Sequence, residues 1–251
     1  MTTRTELVQV LDDLLQAGRF KDYGPNGLQV EGRASVQRLV TGVTASRALI
    51  EAAIDADADT ILVHHGLFWR GQDGRVVGWM KQRLALLLRH DINLLAYHLP
   101  LDAHPELGNN AQLAARLGWV TQGYFGEQNL GCIGVPIRPE PLDGPRLAAQ
   151  LELELKRPVT LVNTAQTAIQ KIAWCSGAAQ SYFEAAVAAG ADAFVTGEIS
   201  EPQAHLAREC GVAYLACGHH ATERWGVAAV GEHLASQLGL HHQFIDIDNP
   251  A

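Results

Sequence analysis

The feature that most constrains the fold is a segment that occurs twice in the chain. EAAIDADADTILVHH, which begins at Glu51, aligns without gaps on EAAVAAGADAFVTGE, which begins at Glu184. In each copy an alanine-rich helical pattern runs into a short apolar run, as expected for a helix followed by a buried strand. A strand candidate precedes each copy at a matched distance, and a further helix and strand follow. We interpret this as an internal duplication of a β-α-β-α-β unit; the alternative is a chance likeness between alanine-rich helix-strand pairs.

Helical and strand patterns alternate along the rest of the chain. An amphipathic helix is predicted near the N-terminus, where Leu7, Leu11 and Leu14 recur at helical spacing, and the segment DYGPNGLQVEG after it is typical of a loop. Ser46 is a candidate N-cap for the helix of the first repeat. Strands are predicted in the segments VQRLVTGVT, TILV, INLLAYHL, GCIGVPI, PVTLV, KIAWCS, DAFVTG, VAYLACG and QFIDI. Strands that alternate with helices in this way predict an α/β fold.

Composition argues against several classes of protein. The chain has 27 acidic and 19 basic residues and a net charge of −8, which gives no global reason to bind nucleic acid or an anionic membrane, although it leaves room for a local basic patch. No apolar run reaches the roughly 18 residues of a membrane-spanning helix. The start of the chain lacks the apolar core of a signal peptide. Four cysteines without CxxC spacing indicate reduced thiols, so we expect a cytoplasmic protein with no membrane partner.

Polar side chains follow the predicted strands at their carboxyl ends. The residues concerned are His64 and His65 after TILV, His98 and Asp102 after INLLAY, Glu198 after AFVTG, and His219 and Glu223 after AYLACG. In open α/β sheets, ligands collect at this edge. Imidazole nitrogen and carboxylate oxygen are ligands that divalent metals prefer. The sequence therefore predicts a divalent-metal site at the carboxyl edge.

The local spacing supports part of this site. His219 and Glu223 are four residues apart at the start of a helical pattern, so they share one helix face, as ligand pairs of metal-binding helices do. His64 and His65 are adjacent, and in a regular strand their side chains would point to opposite faces. Both can bind metal only if the chain turns at the strand end, which Gly66 permits. Adjacent histidines that each hold a different ion would suit a two-metal site.

Chance alone explains some of the histidine pairs. With 11 histidines in 251 residues, on the order of half an adjacent pair is expected, whereas the chain has three. The pairs at His64 and His219 gain weight from their position after strands and from nearby carboxylates. The third pair, which begins at His241, is expected to be structural or exposed.

Other chemistries find less support in the sequence. The chain contains no GxxxxGK[ST] or GxGxxG motif for phosphates or dinucleotides and no GxSxG nucleophile elbow. Cys217 could be a thiolate ligand or nucleophile, but a cysteine at the end of a buried strand is more often a small core residue. Trp69, Trp174 and Trp225 are expected to pack in the protein rather than to stack on nucleic-acid bases.

Six segments together resemble a known family. They are DYGPNGLQVEG, VTGVTAS, ILVHHGLFW, YHLPLDAHPELGNNAQLA, FVTGEISE and GHHATERWGV, and they span nearly the whole chain. The chain resembles the short bacterial branch of the NGG-interacting-factor-three-like proteins, also known as GTP cyclohydrolase type 2 homologues. The resemblance implies two interlinked, similar α/β lobes, which we place at residues 1–124 and 125–251, with the metal site between them. It also implies a toroidal homohexamer.

Carried over by motif, the resemblance implies a dinuclear metal centre. Its ligands would be His64, His65, Asp102, His219 and Glu223, with Glu223 bridging two divalent ions. Such ligands suit zinc, iron, manganese or nickel. The chain lacks the long inserted middle domain of some family members, so functions tied to that insert do not carry over.

A metal pair of this kind suits hydrolysis. Two ions about 3.5–4 Å apart lower the pKa of a bridging water and act as Lewis acids. The leading hypothesis is a hydrolase of a nucleotide-like small substrate, such as GTP with opening of its guanine imidazole ring, or of damaged nucleotides. His98 and Glu198 are candidate proton-transfer residues, with His104 and His205 as further candidates; each could instead hold a neighbouring group. Two other hypotheses are a metal-handling or metal-insertion protein and a ring-shaped scaffold that binds nucleic acid or protein.

Overall fold

The chain forms two compact units. The computed structural model describes residues 2–138, 141–163 and 168–251. Unit 1 consists of Met1–Gly108 and Gly226–Asp248, and unit 2 of Asn109–Trp225 and Asn249–Ala251. This division differs from lobes of residues 1–124 and 125–251, because the chain enters unit 2 at Asn109 and returns to unit 1 at Gly226.

Helices and strands alternate along the described chain and confirm the α/β class. The helices are α1 (Arg4–Leu15), α2 (Arg47–Asp55), α3 (Gly78–Arg89), α4 (Leu99–Ala103), α5 (Asn109–Leu117), α6 (Gly144–Leu155), α7 (Phe183–Ala188), α8 (Glu201–Cys210), α9 (His219–Thr222) and α10 (Arg224–Leu238). The strands are β1 (Thr2–Thr3), β2 (Gly27–Val30), β3 (Ser35–Val36), β4 (Arg38–Thr44), β5 (Thr60–His65), β6 (Asn93–Ala96), β7 (Trp119–Phe125), β8 (Gly131–Pro136), β9 (Thr160–Val162), β10 (Ile172–Cys175), β11 (Ala193–Thr196), β12 (Ala213–Ala216) and β13 (His241–Phe244). No helix among the described residues is both long and apolar enough to cross a membrane.

Unit 1 is built on a five-stranded sheet in the order β13-β4-β5-β6-β2. Strand β2 is antiparallel to β6, and the other neighbours are parallel. Alternate residues of β5 face two cores: Ile61 packs with α2 and α3, whereas Leu62 packs with α1 and α10. Helix α2 begins where the sequence predicts, because the Ser46 hydroxyl accepts a hydrogen bond from the N–H of Leu49 at 3.1 Å.

Unit 2 is built on a six-stranded sheet in the order β7-β8-β10-β11-β12-β9. Strands β10, β11 and β12 are parallel, and the remaining neighbours are antiparallel. On one face, Trp174 is fully buried with side chains of α5, α6 and α9. On the other face, the rings of Phe183, Phe194 and Tyr214 pack against one another.

The two units share local details as well as the order of their elements. In both, a helix and an antiparallel edge strand precede three parallel strands joined by helices. Asp59 accepts hydrogen bonds from two consecutive backbone N–H groups at 2.8 and 3.0 Å, and Asp192, its counterpart in the repeated segment, does so at 2.9 and 2.8 Å. The residues after the equivalent helices, Asp57 and Gly190, both adopt positive φ. These matches support the inferred duplication.

The two-residue strand β1 and two longer strands, β2 and β7, escape prediction from the sequence. Strand β2 lies inside the glycine- and proline-rich segment interpreted as a loop, and its hydrogen bonds to β6 determine its conformation. Strand β7 is buried only at its two ends, Trp119 and Phe125, so it shows no apolar alternation. In both cases pairing with a neighbouring strand outweighs the local pattern.

Candidate metal-binding clusters

The ends of β5 and β6 bring four predicted residues of unit 1 together. His64 and His65 are the last residues of β5, His98 follows β6, and Asp102 lies in α4. His64 is fully buried and Asp102 is nearly so. We call these four residues the unit 1 cluster.

His64 and Asp102 face each other across a gap that suits a cation. Nδ1 of His64 lies 3.1 Å from the carbonyl oxygen of Tyr97, so Nδ1–H donates to that carbonyl. Nε2 of His64 then faces Oδ1 of Asp102 at 3.5 Å. A carboxylate oxygen and an imidazole lone pair repel each other in a buried environment unless a cation, either a proton or a metal ion, joins them. The donor set of this pair therefore fits a divalent ion.

The three imidazole rings of the unit 1 cluster converge. The ring centres of His64 and His65 are 4.5 Å apart, and His98 lies 5.1 Å from the first and 5.6 Å from the second. One ring nitrogen of each lies within 4.8 Å of the other two. The two rings meet although adjacent residues of a regular strand point to opposite faces; at this end of β5 the pairing with β6 stops at Val63, while the pairing with β4 continues to His65. Nδ1 of His65 lies 3.3 Å from Oγ1 of Thr44 on β4.

Asp22 holds His98, a contact that the sequence analysis missed. Its Oδ1 lies 2.6 Å from Nδ1 of His98, and its Oδ2 accepts from the N–H of Leu99 at 2.9 Å and from the Asn26 amide at 3.0 Å. Burial raises the pKa of Asp22, but the hydrogen bond and positive charge of His98, with the bonds from Asn26 and Leu99, lower it to about 2. Asp22 lies in the segment DYGPNGLQVEG, which carries part of the family resemblance. That resemblance is the signal in the sequence that could have pointed to Asp22.

The predicted residues of unit 2 also lie together. Glu198 follows β11, His219 begins α9, and Glu223 is the residue directly after α9. Nε2 of His219 lies 3.2 Å from Oε2 of Glu223, which confirms that these two residues share a helix face. Glu223 is 2% exposed. We call these three residues the unit 2 cluster.

Glu198 contacts the other nitrogen of the same histidine. Its Oε1 lies 2.7 Å from Nδ1 of His219. Burial lowers the pKa of His219, but hydrogen bonds to Glu223 and Glu198 and their charges raise it to about 9. Two carboxylates on one imidazole make this cluster acidic, and without metal the cation that they share is a proton on His219. A divalent ion would replace that proton.

Two glycines, also missed by the sequence analysis, make room for the unit 2 cluster. Gly177, in the loop after β10, has φ +67°, and a Cβ at this position would overlap Oε1 of Glu223. Gly218 precedes α9 with φ +97°, and a Cβ there would overlap the guanidinium group of Arg157. Gly177 therefore leaves the space that the Glu223 carboxylate occupies, and Gly218 allows the positive φ that precedes α9.

The further proton-transfer candidates make local contacts of their own. Nδ1 of His104 accepts hydrogen bonds from the backbone N–H groups of Glu106 and Leu107, at 3.2 and 3.0 Å. His205 is exposed on α8 and lies 3.1 Å from Glu201. Cys217 is fully buried in the unit 2 core, and burial raises its pKa, as a small core residue requires.

The strand ends of an α/β fold that carry buried imidazoles and carboxylates define a candidate metal-binding protein. The model of the family described as Duf34/NIF3 (NGG1p interacting factor 3) matches residues 2–250, and the chain belongs to this family. A relative from Neisseria meningitidis serogroup A (serotype 4A, strain Z2491), named GTP cyclohydrolase 1 type 2 homolog, is 51% identical over 251 residues that cover 100% of both chains. A relative of the same name from Pseudomonas aeruginosa strain PAO1 is 51% identical over 98% of this chain and 97% of its own. The solved structure of protein ybgI, of unknown function, matches with a TM-score of 0.96 and 47% identity over 100% of both chains.

Proposed function

We propose that this protein is a hydrolase that depends on a pair of divalent metal ions and acts on a nucleotide-like small molecule. The ligands would be His64, His65, Asp102, His219 and Glu223, and the ions zinc, iron, manganese or nickel. The observation that carries the proposal is the approach of Nε2 of His64 to Oδ1 of Asp102, 3.5 Å apart in a buried environment.

The donor atoms of both clusters support the metal assignment. The Tyr97 carbonyl fixes the His64 ring, and Glu198 fixes the His219 ring, so each imidazole presents its second nitrogen in a defined direction. Partners of this kind are typical of metal-binding histidines, because they set the tautomer and raise the basicity of the ligand nitrogen. We therefore assign Glu198 to holding His219.

Divalent ions bound by these residues would act as Lewis acids and lower the pKa of bound water. The chain itself contributes a fixed set of donors and a local charge that suits cations. His98 is the candidate for hydrogen bonding or proton transfer to substrate, because Asp22 fixes its ring beside His64 and His65. Asp102 and Glu223, both nearly buried, would supply the negative charge that two dications require.

The proposed substrate class rests on the name of the relatives. Two relatives named GTP cyclohydrolase 1 type 2 homolog cover 100% and 98% of this chain, each at 51% identity. We propose that the substrate is GTP, whose guanine imidazole ring would be opened, or a damaged nucleotide. We also propose that the protein assembles as a homohexamer, as the family resemblance implies.

Metal analysis and turnover in one series test the proposal. Protein purified without added metal would be assayed for bound elements, then loaded with zinc, iron(II), manganese or nickel and incubated with GTP and a panel of damaged nucleotides. We expect Asp102→Asn to lose metal and to lower turnover by at least about 100-fold. Asp73→Asn, at an exposed carboxylate of the same unit that pairs with Arg75, is the matched control and should change neither.

Two results would count against the proposal. If Asp102→Asn keeps the full metal content, the ligand assignment fails. If the loaded wild-type protein turns over no nucleotide but passes its metal to an acceptor protein, the metal-handling hypothesis replaces the hydrolase.

A further inference from the structure

His98 lies between the candidate metal ligands and two aromatic side chains. The Trp69 ring is 5.1 Å from the His98 ring at 89°, and the Tyr23 ring is 6.1 Å from it at 65°. Trp69 also lies 6.0 Å from His65. Tyr23 is 57% exposed, so its ring is open to a ligand from solvent. We call Tyr23 and Trp69 the aromatic rim.

The two loops that carry the aromatic rim are fastened together. The backbone N–H of Arg70 donates to the carbonyl oxygen of Tyr23 at 2.6 Å, and its guanidinium donates to the carbonyl oxygen of Asp22 at 2.7 Å. Gly24 packs so closely on the Phe68 carbonyl that a Cβ there would overlap it. Loops fastened in this way hold the rim in place before any ligand arrives, which lowers the entropic cost of binding.

Asp22 determines which nitrogen of His98 faces the cluster. An ionised carboxylate is an acceptor only, so Nδ1 of His98 carries the hydrogen of the 2.6 Å bond to Asp22. Nε2 is then left on the side of the ring away from Asp22. The N–H of His98 donates to the Asn26 side chain at 2.8 Å, which fixes the backbone as well. The result is one fixed polar atom among aromatic faces and beside the metal ligands.

We propose that Tyr23, Trp69 and His98 form a subsite that binds the planar nitrogen heterocycle of a nucleotide beside the unit 1 cluster, and that Asp22 positions His98 within it. This proposal rests on the proposed function. It states which part of the substrate the aromatic rim and His98 would recognise, namely the heterocycle. Aromatic faces favour planar π systems, and Nε2 of His98, with the ring hydrogen on Nδ1, accepts a hydrogen bond from an N–H at the edge of the heterocycle. Trp69 thus acquires a binding role that the sequence analysis did not expect.

Comparing the binding of nucleosides with that of tripolyphosphate distinguishes recognition of the heterocycle from recognition of phosphate. Binding of guanosine, adenosine and tripolyphosphate to the metal-loaded full chain would be measured by equilibrium dialysis. We expect Trp69→Leu and Tyr23→Ser each to raise the Kd for a nucleoside about tenfold, as loss of one stacking partner does, and to leave tripolyphosphate binding unchanged. Trp79→Leu and Tyr124→Ser are matched controls, because both rings are about half exposed and lie in α3 and β7.

Asp22 requires its own test, since its substitution could act through stability alone. Nucleoside binding would be compared for Asp22→Asn, His98→Gln and the double variant. If Asp22 acts through His98, the double variant binds no more weakly than His98→Gln, whereas independent structural effects would multiply. Melting temperatures of all three variants show whether the fold is retained.

The outcomes distinguish the subsite from the hydrolase. Unchanged nucleoside binding in Trp69→Leu, an equal loss of tripolyphosphate binding, or no nucleoside binding by the wild type would each overturn the subsite. Turnover of GTP together with unchanged binding in Trp69→Leu would leave the hydrolase standing. Nucleoside binding that depends on Trp69, without turnover of any nucleotide, would support the subsite and overturn the hydrolase.

Discussion

Units 1 and 2 share a β-α-β-α-β order, but different residues lie at the carboxyl ends of their equivalent strands. Strand β5 runs into two imidazoles, whereas the equivalent strand β11 runs into Gly197 and Glu198. The unit 1 cluster therefore has three histidines and one carboxylate, and the unit 2 cluster has one histidine and two carboxylates. The comparison teaches that the shared order of helices and strands determines where ligating side chains can lie, while the residues at those positions determine which donor atoms each unit offers.

The two units also hold a histidine to a carboxylate by different routes. In unit 2, Glu198 at the end of a strand reaches His219 at the end of the next strand. In unit 1, the partner of His98 is Asp22, which lies in the loop before β2 and outside the repeated segment. The bond lengths, 2.7 and 2.6 Å, are nearly the same. Similar local geometry has thus arisen from non-equivalent positions.

Among the substitutions that test the contrast between the two units, the largest effect on stability is expected at Gly177. Its counterpart in unit 1 is Thr44, an ordinary strand residue, so the need for glycine is specific to unit 2. Gly177→Ala combines positive φ with overlap on Glu223, and we expect the free energy of unfolding to fall by about 2–4 kcal/mol. Urea denaturation of the metal-free protein measures this.

Gly190→Ala is the matched control for Gly177→Ala. Gly190 also has positive φ, but a Cβ there meets no atom within 4 Å. Its substitution should cost only the backbone strain, about 1 kcal/mol. Equal losses for the two variants would show that Glu223 does not depend on the space at Gly177.

The features of each unit that can be predicted from the sequence are those determined by interactions between residues close together in the chain. The repeated segment predicts β5, α2 and the Ser46 cap, because apolar periodicity and capping are determined within a few residues. The same patterns predict that His64 and His65 lie at the end of a strand and that Asp102 follows one. The i, i+4 spacing of His219 and Glu223 also predicts their contact.

The missed features depend on residues far apart in the sequence. Asp22 meets His98 across 76 positions, and no local pattern marks such a pair. Gly177 is required because of the side chain of Glu223, so its role appears only when the loop after β10 and α9 are folded together. Strand β2 exists because β6 offers it hydrogen bonds, despite the glycine and proline before it.

A smaller effect, on the pH dependence of stability, is expected in unit 2. The pKa of His219 is raised from 6.5 to about 9 in the metal-free protein, so its stabilising contribution is complete below pH 6.5 and is lost as pH rises through 9. Between pH 6.5 and 9 we expect the free energy of unfolding of the wild type to fall by about 2 kcal/mol more than that of His219→Gln. His205→Gln, at an exposed histidine that also contacts a glutamate, should follow the wild type.

The smallest effect is expected in unit 1, and it has the opposite sign. The pKa of Asp22 is lowered from 3.8 to about 2, so its contribution is present above pH 4 and is lost as pH falls through 2. After allowance for solvent screening this amounts to about 1 kcal/mol, which Asp22→Asn should remove from the acid limb of the stability curve while leaving the alkaline limb unchanged. Denaturation of chelator-treated protein from pH 2 to 9 measures both limbs, with Asp73→Asn as the exposed control. If Asp22→Asn instead lowers the alkaline limb, the carboxylate-histidine pairs of the two units are coupled, and the contrast drawn between them fails.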